Sequence, residues 1–370
     1  MYCGLKHVLQ KEHIQQQELA NYLGISKTAV SLMVNKGVLP SKANNIKNNI
    51  NSFLKEKGIS TKGVWKDVEK PTIENKDDNM EKCIMLTQKA RKQFKVAIDP
   101  FTADIQDSKD VYLSESSRYV FEYMYLTAKN GGLLAVVGES GSGKTTLRRM
   151  MIDRIIHEEL KIKVINPKTI DKGRLTAGAI CDAIINDCSQ ERPKRSLEAK
   201  SRQVERVLTN SSRSGYSHVL IIEEAHDLTI PVLKYLKRFW ELEDGFKKLI
   251  GIILVAQQEL KTILDESRNY TAREIIRRIE IAELAPFLSP EELKGYLSLK
   301  FKRVNVNIED VFEENVYPTI IKKMTRKTVN NFRTSSCYPL NVNNLIKQAM
   351  NTAAQVGQEK VDEETILALR

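Results

Sequence analysis

Leu133-Leu134-Ala135-Val136-Val137-Gly138-Glu139-Ser140-Gly141-Ser142-Gly143-Lys144-Thr145-Thr146-Leu147 is the stretch whose reading decides the fold of this chain. The five apolar residues at its start read as a buried strand, and Gly138 to Thr145 complete the pattern G-x-x-x-x-G-K-[ST]. From Thr146 to Ile156 the apolar positions return at helical spacing. Strand, glycine-rich loop and helix in that order make a phosphate cradle. Glycine lets successive backbone N–H groups turn towards a polyphosphate, and the helix N-terminus adds partial positive charge. The pattern predicts that Gly138, Glu139, Ser140, Gly141, Ser142, Gly143, Lys144, Thr145 and Thr146 surround ATP. Lys144 would reach the β- and γ-phosphates, and the Thr145 hydroxyl would hold Mg²⁺.

Further apolar runs at Lys163–Ile165, His218–Ile222 and Ile250–Val255 are each followed by a helical pattern. Strands that alternate with helices imply an α/β domain with a parallel sheet covered on both faces. After Pro286 the pattern turns all-helical and suggests a small C-terminal helical lid. The division expected is 1–65 for an all-α domain, 66–92 for a mixed-charge linker, 93–285 for the nucleotide-binding core and 286–370 for the lid.

Basic residues outnumber acidic ones by 58 to 47, a net charge of +11 that favours a polyanionic partner, nucleic acid before membrane surface. No apolar run approaches the ~18–20 residues that span a bilayer, so no membrane association is expected. The N-terminus lacks the order of a secretory signal, and the five cysteines form no C-x-x-C pair. Reduced thiols and a cytoplasmic location follow as expectations.

Hydrolysis needs more than a phosphate loop. Val219-Leu220-Ile221-Ile222 ends in Glu223 and Glu224. The first carboxylate can orient the waters of Mg²⁺, although glutamate lengthens a reach more often made by aspartate. The second can polarise the attacking water. The next strand ends at Gln257, whose amide can sense the γ-phosphate through that water. Arg273, Arg277 and Arg278 share the expected helix Thr271–Ile279, and Arg277 or Arg278 is the candidate finger for a neighbouring subunit's nucleotide.

Residues 16–35 carry a helix-turn-helix pattern, with Leu19, Ala20 and Leu23 on one face, Gly24 at the turn, and Val30 and Val34 returning to the core. Its outer face would bring Lys27, Thr28, Ser31 and Asn35 to duplex DNA. Lys168, Lys172 and Arg174, in the loop after the second strand, form a second expected DNA surface.

Together these features resemble an AAA+ ATPase. The wording of Ile222-Glu223-Glu224-Ala225-His226-Asp227-Leu228, Leu236–Asp244, Ala256–Leu260 and Tyr338–Leu345 resembles the B transposition protein of Mu-like phages and its relatives. The resemblance covers nearly the whole chain. It implies a DNA-stimulated ATPase of the bacterial cytoplasm that assembles on double-stranded DNA as a filament or ring and delivers target DNA to a transposase. Many AAA+ proteins carry a lid arginine that touches the γ-phosphate, whereas the matching position here is Leu340. That departure implies slow turnover. An ATP-gated helix-turn-helix transcriptional regulator is the alternative, and a secretion- or cell-wall-type ATPase is a third reading.

Overall fold

Leu133–Val137 (β1) is buried along its whole length because it lies in the middle of a sheet covered on both faces. In the computed structural model, which describes residues 5, 8–9, 11–12, 14–25, 27–36, 46–59, 61, 85–103, 105–167, 175–327 and 333–369, four more strands join it. They are Ile162–Ile165 (β2), Ser217–Glu223 (β3), Gly251–Ala256 (β4) and Glu280–Glu283 (β5), all parallel, in the order β2-β3-β4-β1-β5. Alternate side chains of each strand enter opposite cores, as a period of two requires. Leu133, Ala135 and Val137 meet the helices Ala177–Cys188, Leu197–Arg213 and Ile230–Trp240. Leu134 and Val136 meet Glu115–Asn130 and Lys144–His157.

Register sets the depth of the strand ends. Val137 stands opposite Ala256 and Glu283, and Glu223 stands opposite Val255. The carboxyl ends of β1, β3, β4 and β5 therefore finish at nearly one level, and strand order reverses beside β1. Open α/β sheets bind ligands at that place. One buried histidine serves the sheet alone. His218 donates from Nδ1 to the Leu249 carbonyl at 2.8 Å, and burial pulls its pKa down to about 4. Burial likewise pushes the Cys181 thiol up to about 11 and those of Cys188 and Cys337 to about 12, so these free cysteines are inert core residues.

The chain divides into two compact units. One holds residues 105–287 with 338–340, and the other holds 1–104, 288–337 and 341–370. The second unit begins with the helices Gln16–Leu23, Lys27–Lys36 and Ile46–Glu56. Leu19, Val30, Met33, Ile50, Phe53 and Leu54 give them a core of their own. Gly24 ends the first helix at φ +65°, a left-handed turn that glycine adopts without strain. The C-terminal part contributes Pro290–Lys302, Val316–Met324, Glu363–Ala368 and, from Asn341 onward, the helix Pro339–Val356.

Several sequence expectations require correction. The fifth strand, Glu280–Glu283, was missed because its burial is confined to Ala282. The expected helix Thr271–Ile279 shrinks to a 3₁₀ turn at Tyr270–Ala272 and one turn of α-helix at Arg273–Ile276. The C-terminal region is not all helix, since Thr325–Lys327 pairs with Arg333–Ser335 as an antiparallel hairpin. The expected linker is not open to residue 92. Gln88–Gln93 is a helix, the Thr87 amide donates to Asn351 Oδ1 at 2.8 Å, and Lys89 donates to the Gln355 carbonyl at 3.2 Å. Residues 93–103 accordingly cluster with the C-terminal helices rather than with the sheet. Residues 66–84 of that linker lie outside the described residues.

Candidate nucleotide-hydrolysing site

Where β1 ends, the backbone curls. Gly141 and Gly143 take φ of +72° and +102°, which an L side chain adopts only under strain. A Cβ at Gly138 would stand 2.7 Å from Ser142 Oγ, and one at Gly141 would stand 2.2 Å from Leu340 Cβ. The loop is thus closed from below by its own serine and from the side by the residue in the lid position. The Leu340 amide also donates to the Gly141 carbonyl at 3.3 Å. An apolar side chain therefore braces the loop and offers no charge to a phosphate.

Lys144 opens the following helix, and its Nζ donates to the carbonyls of Gly138 at 2.6 Å and Glu139 at 2.8 Å. Desolvation pulls its pKa below the ordinary lysine value, while Glu224, Glu139 and Glu259 pull it back. The ammonium is held over the cradle by neutral carbonyls that a triphosphate would outcompete. Ser142 Oγ is buried and has no hydrogen-bond partner among the described residues. An orphaned hydroxyl in a ring of glycines fits an anionic oxygen. Glu139, Ser140 and Thr145 are exposed at the mouth, with Gly143 and Thr146 half-buried.

The two carboxylates at the end of β3 have different surroundings. Glu223 Oε1 lies 2.7 Å from Arg148 Nε, one helical turn beyond Lys144. Glu224 sits in left-handed backbone at φ +53°, ψ +41°, and its side chain is half exposed. Glutamate rarely takes that conformation, and such strain gathers where a side chain must be aimed. Thr145 and Glu223 fit Mg²⁺, because that ion uses one or two protein oxygens and completes its shell with phosphates and water. Among the described residues there is no cluster of three His, Cys, Asp or Glu side chains that could hold a metal unaided. Arg148 would have to give up Glu223 to the metal.

Gln257 follows the end of β4, half-buried, and its backbone N–H donates to His226 Nδ1 at 3.5 Å. Its neighbour Gln258 donates instead to Glu283 Oε1 at 2.7 Å. The candidate fingers stand apart from this cluster in the chain and are occupied. Arg277 forks onto Glu266 at 2.6 and 3.0 Å, and Arg278 reaches Glu241 at 3.2 Å and stands over the Trp240 ring at 5.6 Å. Arg273 lies over Tyr270 at 4.2 Å.

Three features escaped the sequence reading. Arg148 could have been found from its spacing to Lys144, which aims both at one face of the helix. His226 lay in a quoted motif with no role given to it. A cavity of about 200 Å³ opens beside Thr146, lined by Gln106, Asp107, Ser108, Arg149 and Asp153 among others. Residues 105–111 carry no motif, so only the fold brings them there.

Of the expected DNA contacts, Lys168, Lys172 and Arg174 lie outside the described residues, as do the side chains of Lys27 and Thr28. Ser31 is half-buried, and its helix Lys27–Lys36 also packs against Glu363–Ala368. Among the described residues no helix is long and apolar enough to cross a membrane.

Residues 127–264 match the family model of an AAA domain. That segment holds β1, the phosphate loop, β3 and β4, so the part of the chain that carries the site is similar to an AAA domain. Over 269 residues the chain is 24% identical to General secretion pathway protein A of Aeromonas hydrophila, covering 72% of this chain and 45% of that one. The chain thus spans less than half the length of the curated relative it matches. Among solved structures it is similar to the ORC2 protein of Aeropyrum pernix, at TM-score 0.47 and 15% identity over 72% of this chain and 69% of that one. Cdc6p from Pyrobaculum aerophilum gives 0.44 and 15% over 70% and 68%. A RuvB variant of Thermotoga maritima gives 0.39 and 15% over 71% and 70%. Likenesses this distant carry no functional argument.

Proposed function

We propose that this protein is an AAA+ ATPase that binds duplex DNA when charged with ATP, assembles on it, and presents target DNA to a transposase. The observation that carries the nucleotide half is the conjunction at the strand ends: an orphaned Ser142 hydroxyl, Lys144 held over the loop, and Glu224 aimed by strained backbone. Lys144 exchanges its two carbonyl partners for phosphate oxygens. Glu224 takes a proton from the attacking water, and Gln257 holds that water by its amide. Thr145 and Glu223 would hold Mg²⁺, which when bound neutralises charge developing on the phosphates. The cavity beside Thr146 is the place for the nucleoside.

Support for the DNA half comes from the net charge of +11, the N-terminal helix pair turning at Gly24, and the sequence resemblance to B transposition proteins. The relative from the secretion pathway favours a second reading, in which the same ATPase serves secretion. Electron microscopy of the full chain with ATP, Mg²⁺ and a non-specific duplex separates them. Filaments or rings on DNA that vanish without ATP support the proposal, as does binding that ignores sequence. A footprint confined to one site would favour the regulator, and no DNA binding at low salt would favour the secretion role.

A further inference from the structure

The turn after β3 folds back on the end of β4, and His226 is the side chain at the junction. Ala225, buried completely, pins the turn, and the Asp227 amide closes it on the Glu224 carbonyl at 3.0 Å. The turn packs on β4 and on the short helix Glu259–Ile263. His226 is left about one-fifth exposed. Its Nδ1 accepts the Gln257 backbone N–H at 3.5 Å and lies 3.5 Å from Glu224 Oε2. Its Nε2 is 3.9 Å from Asp227 Oδ1. A ring nitrogen that accepts carries no proton, so the ring's hydrogen lies on Nε2, on the side of Asp227.

The Gln257 N–H and Glu224 Oε2 each lie 3.5 Å from the same ring nitrogen, so without the ring the carboxylate that must polarise water could turn onto that donor. A Glu224 oxygen bonded to that amide would be a weaker base and would be drawn off line. The imidazole prevents this by occupying the amide itself while offering Glu224 no hydrogen. It also ties the turn that carries Glu224 to the strand end that carries Gln257, so a displacement at Gln257 is felt at Glu224.

We infer that His226 is a positioning residue for ATP hydrolysis, which keeps the Glu224 carboxylate free and in line by holding the backbone N–H of Gln257. The inference rests on Glu224 as the base and Gln257 as the γ-phosphate sensor. Sequence spacing alone would not assign it, because the histidine acts on a main-chain group of a different strand.

The test uses the full chain and two variants. Leucine at 226 fills the space without an acceptor, and asparagine at 226 keeps an acceptor oxygen near the place of Nδ1. His226→Leu should lower kcat by about 10–100-fold, the range typical of groups that orient a catalytic side chain. Its affinity for a fluorescent ATP analogue should stay within about twofold, and KM should not rise. His226→Asn should recover most of the loss. In a Glu224→Gln background His226→Leu should cost nothing more, since there is no carboxylate left to position. Should the leucine variant fail to fold, His226→Ser, too short to reach the amide, replaces it. Turnover by the leucine variant within twofold of the parent would overturn the inference, and so would losses that multiply in the double variant. Unimpaired turnover in Glu224→Gln alone would overturn the assignment of the base instead.

Discussion

The strand ends and the arginine segment at 273–278 present two ways of preparing charge for a phosphate. At the ends of β1 and β3 the geometry is built into the main chain: positive-φ glycines at 141 and 143, a glutamate forced to φ +53°, and a lysine resting on carbonyls that gain nothing special from it. Along 273–278 the geometry is left to side chains, each of which already has a partner. Arg277 has Glu266, Arg278 has Glu241 and Trp240, and Arg273 has Tyr270. The first arrangement is held by the main chain of one sheet end. The second is poised at the surface, in exposed pairs of the kind that are worth little and so are easily exchanged. Exchangeable surface arginines suit the finger role proposed for this segment.

The hardest blow to the first region is Lys144→Ala. It removes the only side-chain cation the loop directs over the phosphates, and tight ATP binding should disappear, on the order of 100-fold or more from lost charge-assisted bonds. Equilibrium binding of a fluorescent ATP analogue measures it. Affinity within a few-fold of the parent would mean that the backbone cradle suffices.

Glu224→Gln should leave that binding intact and slow hydrolysis by roughly 10²–10⁴-fold, the usual contribution of a general base. A phosphate-release assay at saturating ATP decides it. Were the loss to follow Glu223→Gln instead, the two carboxylates would have to exchange roles, and the Arg148 pair would then lie on the base.

How much of this was legible follows from the same contrast. Phosphate loops are written in residues that only one backbone geometry explains, so the order of β1, loop and helix could be read directly from glycine spacing. β3 and β4 were legible because each carries an unbroken apolar run, Val219–Ile222 and Ile252–Ala256. β5 was not: of Glu280, Ile281, Ala282 and Glu283 only Ala282 is buried, and pairing with β1 rather than composition makes it a strand. Leu340 could be aligned to the lid position, but its contact with Gly141 depends on a closing turn some 200 residues further along the chain. Arg148 and His226 were hidden for another reason. Each works by taking a partner, Glu223 in one case and a main-chain amide in the other, and partner choice is decided in three dimensions.

Gly141→Ala tests whether the brace from Leu340 matters to the cradle. The new Cβ meets Leu340 Cβ at 2.2 Å and must also adopt φ +72°, so both the loop and the leucine have to move. Left-handed backbone costs a β-carbon residue about 1–2 kcal/mol, which for a unit of this size lowers Tm by roughly 2–8 °C. Nucleotide affinity should fall with it. Pairing the change with Leu340→Gly should return part of the lost Tm, because only glycine removes the Leu340 Cβ that makes the close approach. No return would show that the strain lies in the backbone alone.

The mildest expected effect belongs to the arginines, and it sharpens the comparison most. If Arg277 or Arg278 serves a neighbouring subunit, alanine at either position should leave ATP binding unchanged and leave turnover in dilute, DNA-free protein within about twofold, since neither touches the cradle of its own chain. The same variants should lose most of the stimulation that comes with rising protein concentration on duplex DNA, because a finger acts only across an assembled interface. The measurement is turnover against protein concentration, with and without a long non-specific duplex. Only one of the two should matter, and the other should behave as a surface arginine freed from its glutamate. A variant slow even when dilute would place that arginine in its own subunit's chemistry, and the two regions would then form one site. Full stimulation in the double alanine variant would remove the segment from catalysis altogether and leave Arg273, over Tyr270, as the next residue to test.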